Sequence, residues 1–406
     1  MHYGFVIVIC CCLMMGINIG LSFSCAGIFY RPVSTDLGVS VGAFGIYMSL
    51  MYVASTLMLP LAGKLMERGS ARRLLAGSSA LMGLTFLGMA LSTAVWQFYV
   101  AGCVLGVTVA FLLYLSFPTL INRWFVSKVG LLTGVCSAAS GIGGIIFNPI
   151  AASVITGYGW RWAYAGFGVL ILAVVTPLLA LLLRDRPSDM GLQPFGADKA
   201  AVGIGAESVR GGVAYEKAMR MPVMWGLVVF AFLMMACSTL NLFIPNYVTD
   251  LGFTLEQASL AAAAVMGGVT VGKLALGHIN DRSCLAGSMV TTVAGGAGLL
   301  MLIGGAAGIW MAVGGGFLFG WAYAGVTVQT AMLTRTVFGN LNYARIYSVI
   351  SMALAAGGAL ASGGWGILVD YTSYRFIFTV GVVMLAVCAV IGLWAVGRRS
   401  ITRVTA

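Results

Sequence analysis

The amino-acid sequence predicts an all-α membrane protein of twelve transmembrane helices, arranged as two pseudo-symmetric six-helix bundles. Three observations predict it: the composition, the length of the apolar runs, and landmarks that recur at one fixed offset. The chain has 406 residues, 60% hydrophobic and only 8% charged, whereas a soluble domain carries about 25% charged residues. So few charges cannot cover a water-facing surface. Runs of about 20 apolar residues, each able to cross a ~30 Å hydrocarbon core, recur along the whole length. In lipid a spanning backbone must satisfy its own hydrogen bonds, so runs this long are helices rather than barrel strands.

Twelve runs are expected, at approximately 4–29, 41–64, 73–93, 96–120, 130–156, 162–183, 223–247, 256–279, 285–307, 309–333, 346–368 and 374–396. The first follows Met1 directly, without a basic leader or a small-residue cleavage site, and reads as a retained span. The longest polar stretch, 184–221, reads as a linker between an N-terminal bundle, 1–183, and a C-terminal bundle, 222–406.

Charge sets the orientation. With a cytoplasmic N-terminus, 18 of the 22 basic residues fall in cytoplasmic segments, three (Arg31, Arg161 and Arg375) fall outside, and Lys273 lies within a span. The positive-inside rule selects that arrangement, with both termini cytoplasmic. The net charge of +11 is therefore a topology signal. It does not predict a nucleic-acid partner, because the charges sit in short loops with no aromatic-basic groove.

The halves repeat each other. Asp36-Leu37-Gly38 answers to Asp250-Leu251-Gly252, Glu67-Arg68 to Asp281-Arg282, and Trp160-Arg161 to Tyr374-Arg375, each pair 214 positions apart. Six spans per repeat give two halves of one orientation, and parallel repeats of this kind hold a solute site near the membrane midplane.

These landmarks carry a resemblance. Gly63-Lys64-Leu65-Met66-Glu67-Arg68-Gly69, followed by Arg72-Arg73, resembles the loop after the second span of the major facilitator superfamily, with Glu67 in place of the usual Asp. Gly277-His278-Ile279-Asn280-Asp281-Arg282 is its second copy, without the basic pair. The resemblance implies the major facilitator fold, with spans one, four, seven and ten at the solute path. It also implies a gating role for Glu67, Arg68, Arg72, Arg73, Asp281, Arg282 and Arg123, through carboxylate–arginine pairs that hold in one access state and break in the other. The plainer alternative is topology charge alone.

Within the superfamily the chain resembles the monocarboxylate and oxalate:formate porters. Tyr114 stands nine residues before Arg123-Trp124-Phe125, with Lys128, Gly130 and Gly134 following, and Arg184-Asp185-Arg186-Pro187-Ser188-Asp189 resembles the stretch that bacterial members carry after span six. The resemblance implies a bacterial inner (plasma) membrane location and a secondary transporter of a small organic anion, working by rocker-switch alternating access.

Lys273 is the informative charge. An ammonium at membrane depth costs roughly 3 kcal/mol, and none of the 11 acidic residues lies deep in a span to pair with it. The porters place a basic substrate-binding residue, usually Arg, four residues before the loop Gly, here Gly277. Either Lys273 binds a substrate anion or its stem snorkels to the cytoplasmic face. A span-one Lys of animal porters is matched by Ser24, a span-eight Asp by Val269, and a span-eleven cation has no counterpart in 346–368. A monoanion is therefore expected rather than a dianion. Tyr114, Asn241, Tyr323, Gln329 and Tyr47 are the other candidate pocket residues.

Coupling stays open between proton symport, through Lys273 or a protonated substrate, and anion exchange or uniport. No cofactor is expected, and no metal. The nine cysteines read as small packing residues. His2 and His278 form no metal set or triad, and there is no phosphate loop for ATP. Partners are expected to be the small organic anion, a proton or counter-anion, and the lipid bilayer; a monomer is expected. Pro118 and Asn148-Pro149 are expected bends. The rival readings are an exporter of neutral or amphiphilic solutes, a membrane-embedded transferase and a transport-like sensor. A transferase needs clustered catalytic side chains that the sequence lacks, so the chain is not expected to be an enzyme.

Overall fold

The computed structural model describes residues 2–125, 129–196, 212–339 and 343–398. Twelve helices among them are long and apolar enough to cross a membrane: Gly4–Ser24, Val41–Met66, Ala71–Ala90, Val95–Leu113, Leu131–Tyr158, Trp160–Leu182, Pro222–Asp250, Leu255–Asn280, Cys284–Ile303, Ile309–Phe338, Arg345–Tyr371 and Tyr374–Gly397. They are spans one to twelve below, and each overlaps the run expected from the sequence. Among the described residues the β-type pairings are two isolated bridges, Phe125–Phe195 and Gly212–Gly339.

The chain divides into two compact units, Met1–Ala206 and Glu207–Ala406. In the first, span one packs along span five, two along four and three along six. In the second, seven packs along eleven, eight along ten and nine along twelve. Shifting each first-half pair by six spans gives a second-half pair, so the repeat seen in the sequence extends to the packing.

Helix ends repeat as well, because the same residue types solve the same terminal problem. Ser40 caps the helix beginning at Val41 by accepting from the Ala43 N–H, and Thr254, 214 positions on, caps Leu255 by accepting from the Gln257 N–H. Just before these caps, Gly38 and Gly252 take positive φ values of 64° and 92°, backbone conformations that glycine adopts without a Cβ penalty.

Spans one and seven are discontinuous. Span one is α-helical over Gly4–Met14, widens to a π-helix over Met15–Ser24, and gives way at Cys25 to a separate helix, Ala26–Leu37. Span seven is α-helical over Pro222–Ser238, tightens to a 3-10 segment over Thr239–Phe243 and resumes over Ile244–Asp250. Ser24, which ends the π segment, and Ser238, which ends the first α segment of span seven, are again 214 positions apart. Irregular backbone at membrane depth is tolerated only inside protein, and residues 18–30 and 236–248 are all buried. Pro149 lies inside the helix Val129–Tyr158.

Candidate functional site

In the second unit the candidate residues Lys273 and Tyr323 lie on spans eight and ten. Small residues let the backbones touch. A Cβ on Gly316 would lie 2.8 Å from the Ala261 carbonyl, one on Gly320 would strike the Val265 carbonyl, one on Gly268 the Phe317 carbonyl, and one on Gly272 would lie 2.9 Å from the Ala324 Cβ. These contacts rise together along both helices, so the helices run parallel. Lys273 follows the seam residue Gly272, and Tyr323 precedes the seam residue Ala324. At ~100° per residue on parallel helices, both fall on the same flank of the seam.

That flank is the packed one. Of the neighbours of Lys273 along its face of span eight, Met266, Val269, Leu276 and Asn280 are buried, and Thr270 and Gly277 are half-buried. Val271, about 160° round the helix from Lys273, is 44% exposed. On span ten, Phe319, Val326 and Thr330 beside Tyr323 are buried. Lys273 and Tyr323 are themselves half-buried. Span seven packs against both eight and ten, and Asn241 lies buried in its 3-10 break.

Gln329 takes part in a contact between helices. It is fully buried, and its amide Nε2 donates to the main-chain carbonyl of Cys284 at 3.0 Å. A Cβ on Gly287 would strike the Asn280 Oδ1 and lie 2.9 Å from the Gln329 Oε1. Gln329 is thus a tie between spans nine and ten over a glycine floor. That geometry locks the two helices together.

In the first unit Tyr47 is buried within an aromatic cluster, its ring centroid 4.9 Å from Phe44 and 6.1 Å from Tyr30. The side chains of Tyr114, Glu67, Arg68 and Asp281 lie outside the described residues, as do Lys128, Lys199 and Arg210 of the expected basic segments. The arginines expected to gate are placed by main-chain groups and one aspartate. Arg123 donates to the Met66 carbonyl at 3.0 Å, tying span four's extension to the end of span two. The Arg72 side chain donates to the Ala180 carbonyl, while its main-chain N–H donates to Asp185 Oδ1 at 2.7 Å. Arg73 and Arg282 are exposed.

Two groups of contacts were not anticipated from the sequence. Asn18, in the π segment, donates to Ser79 Oγ at 2.9 Å, and Thr176 Oγ1 donates to the same oxygen at 3.2 Å, joining spans one, three and six. A lone Asn in an apolar span is the signal for such a tie. Each broken helix is also held by its packing partner. Asn148 of span five donates to the Ser24 carbonyl at 3.1 Å, and Trp365 of span eleven donates to the Ala236 carbonyl at 2.8 Å. Ser24, the position matched to a porter lysine, is 9% exposed and donates to the Ser140 carbonyl at 3.3 Å. Among the described residues no group of three or more His, Cys, Asp or Glu is placed to hold a metal ion.

Comparison with known proteins places this architecture. The family model described as Major Facilitator Superfamily matches residues 11–305 and 249–405. A probable transporter of Saccharomyces cerevisiae, MCH2, is 26% identical over 270 residues, 65% of this chain and 47% of that protein. The oxalate:formate antiporter of Oxalobacter formigenes is 30% identical over 178 residues, 42% of this chain and 40% of that protein. The chain spans under half the length of these two relatives, 47% and 40%. Among solved structures, a point mutant of the nucleoside transporter NupG superposes with a TM-score of 0.77 at 13% identity, covering 96% of this chain and 99% of that one. A bacterial homologue of the human lysosomal transporter Spinster, in an inward-facing unoccupied conformation, gives 0.73 at 14% identity, covering 99% and 98%. At these identities the two structures share the fold.

Proposed function

The chain belongs to the major facilitator superfamily, and from that premise we propose that it is a secondary transporter of a small organic anion, with a monocarboxylate as substrate class. The observation that carries this reading is the direction of Lys273. An ammonium buried in a span is retained where it faces a polar path or a partner, and Lys273 lies on the packed face of span eight rather than on the lipid-facing one. Its helix continues to Arg282, about 13 Å further on at ~1.5 Å per residue. That is longer than a lysine stem, which weighs against snorkelling to the helix end.

Lys273 would pair with the substrate carboxylate as a point charge, and Tyr323, on the same flank, would offer its phenol to the second oxygen. A single cation suits a monoanion. The named anion exchange of the Oxalobacter relative supports this class. The reading includes alternating access with proton symport or anion exchange, and the basic residues favour cytoplasmic termini.

Counterflow into proteoliposomes tests the class. Vesicles preloaded with unlabelled monocarboxylate should accumulate the labelled acid, and dicarboxylates and nucleosides should compete poorly. Accumulation restricted to neutral solutes would contradict the proposal.

A further inference from the structure

We propose that Cys12 and Cys136 form an oxidisable dithiol, a modification site that a membrane-permeant two-electron oxidant converts to a disulfide linking span one to span five. Their Sγ atoms lie 3.8 Å apart. Cys136 is fully buried, whereas Cys12 is half-buried, so an oxidant reaches the pair from the Cys12 side.

The seam on which the thiols sit holds them at this distance. Cys12, Gly16 and Gly20 follow one another at four-residue spacing along span one. A Cβ on Gly16 would lie 3.3 Å from the Ala139 carbonyl, one on Gly20 3.2 Å from the Gly143 Cα, and one on Gly143 would strike the Gly16 carbonyl. Backbones this close leave two facing thiols little room to part. Cys11 also reaches Cys136, but among the described residues no group of three His, Cys, Asp or Glu is placed to hold a metal ion, so the site has the composition of a thiol pair rather than of a metal centre.

The chemistry balances with an azo oxidant such as diamide, a diazenedicarboxamide. One thiol adds across the N=N bond. The second thiol attacks the sulfur of that adduct, the S–S bond forms, and the S–N bond breaks. The two thiols are oxidised, and the diazene leaves as a hydrazine carrying both electrons and both protons.

The position gives oxidation a consequence. Cys12 lies three residues before the π segment, Met15–Ser24, and the break at Cys25 follows. A bond at Cys12 fixes the start of that irregular stretch against span five, so oxidation should arrest any cycle in which span one shifts along its partner.

The test uses the full chain in lipid nanodiscs, treated with diamide, alkylated and digested without reductant. Mass spectrometry should find the segment bearing Cys10, Cys11 and Cys12 joined to the segment bearing Cys136, with two hydrogens lost. The product should vanish in Cys12→Ala and persist in Cys11→Ala. No cross-linked pair, or one that survives Cys12→Ala, overturns the proposal. In proteoliposomes, diamide should stop wild-type uptake, dithiothreitol should restore it, and Cys12→Ala should be insensitive. Full uptake by a cross-linked protein overturns the arrest. The cross-link is read without a substrate, so its failure is distinguishable from failure of the anion reading.

Discussion

The side-chain amide of Asn148 donates to the main-chain carbonyl of Ser24, 3.1 Å away, at the last residue of the π segment in span one. It also donates to the Gly144 carbonyl of its own helix at 2.8 Å. Both residues are buried. Replacing Asn148 by Leu leaves the buried Ser24 carbonyl without that donor. The expected cost is ~1–3 kcal/mol, read as a lower thermal unfolding midpoint in detergent. A midpoint equal to wild type would mean that the break is held by packing alone.

The glycine seam of spans eight and ten gives a sharper contrast. A Cβ on Gly268 would strike the Phe317 carbonyl, while one on Gly277, nine residues along the same helix, would meet nothing within 4 Å. Gly268→Val should force the two backbones apart and cost ~1–3 kcal/mol. Gly277→Ala should leave the midpoint unchanged or raise it. Unfolding in a graded detergent series checks both, and equal effects at the two sites would show that the seam is not tight.

Asp36 accepts from Arg161 at 2.7 Å and from the Trp160 indole at 3.2 Å, with the Arg161 guanidinium stacked 4.2 Å from the Trp160 ring. The charged pair is 45% and 44% exposed, so solvent screens it. Asp36→Asn should cost no more than about 1 kcal/mol, and the difference from wild type should shrink in high salt. A larger, salt-independent loss would show that the indole contact dominates.

Gln329 should behave as a structural tie. Gln329→Leu removes the bond to the Cys284 carbonyl in a fully buried position, so the unfolding midpoint should fall while KM for the transported acid stays at the wild-type value. A raised KM with an unchanged midpoint would place Gln329 in the binding site.

Much of this architecture was readable from residue order. Spans follow from apolar length, and the repeat follows from pairs such as Asp36 and Asp250, because both are one-dimensional properties of a chain in lipid. The breaks at Ser24 and Thr239 were not readable. Each depends on a donor from a distant helix, Asn148 or Trp365, and on burial of the loosened backbone, neither of which leaves a local signature. Gln329 illustrates the same limit. An amide deep in a span signals a hydrogen bond, but sequence does not say whether its partner is a solute or another helix. Lys273 was singled out by its charge, whereas its direction became visible only once the contacts of Gly268 and Gly272 fixed the seam.

The most direct test of the transport reading is uptake of a labelled monocarboxylate into proteoliposomes carrying wild type, Lys273→Ala or Lys273→Arg, with and without a pH gradient or an internal counter-anion. Lys273→Ala should lower kcat/KM by about 10- to 150-fold, as loss of a charge-assisted hydrogen bond of ~1.5–3 kcal/mol requires. Lys273→Arg, which keeps the charge, should retain part of the activity, and the gradient that drives wild type identifies the coupling. Normal uptake by Lys273→Ala would contradict the assignment of Lys273 as the carboxylate anchor.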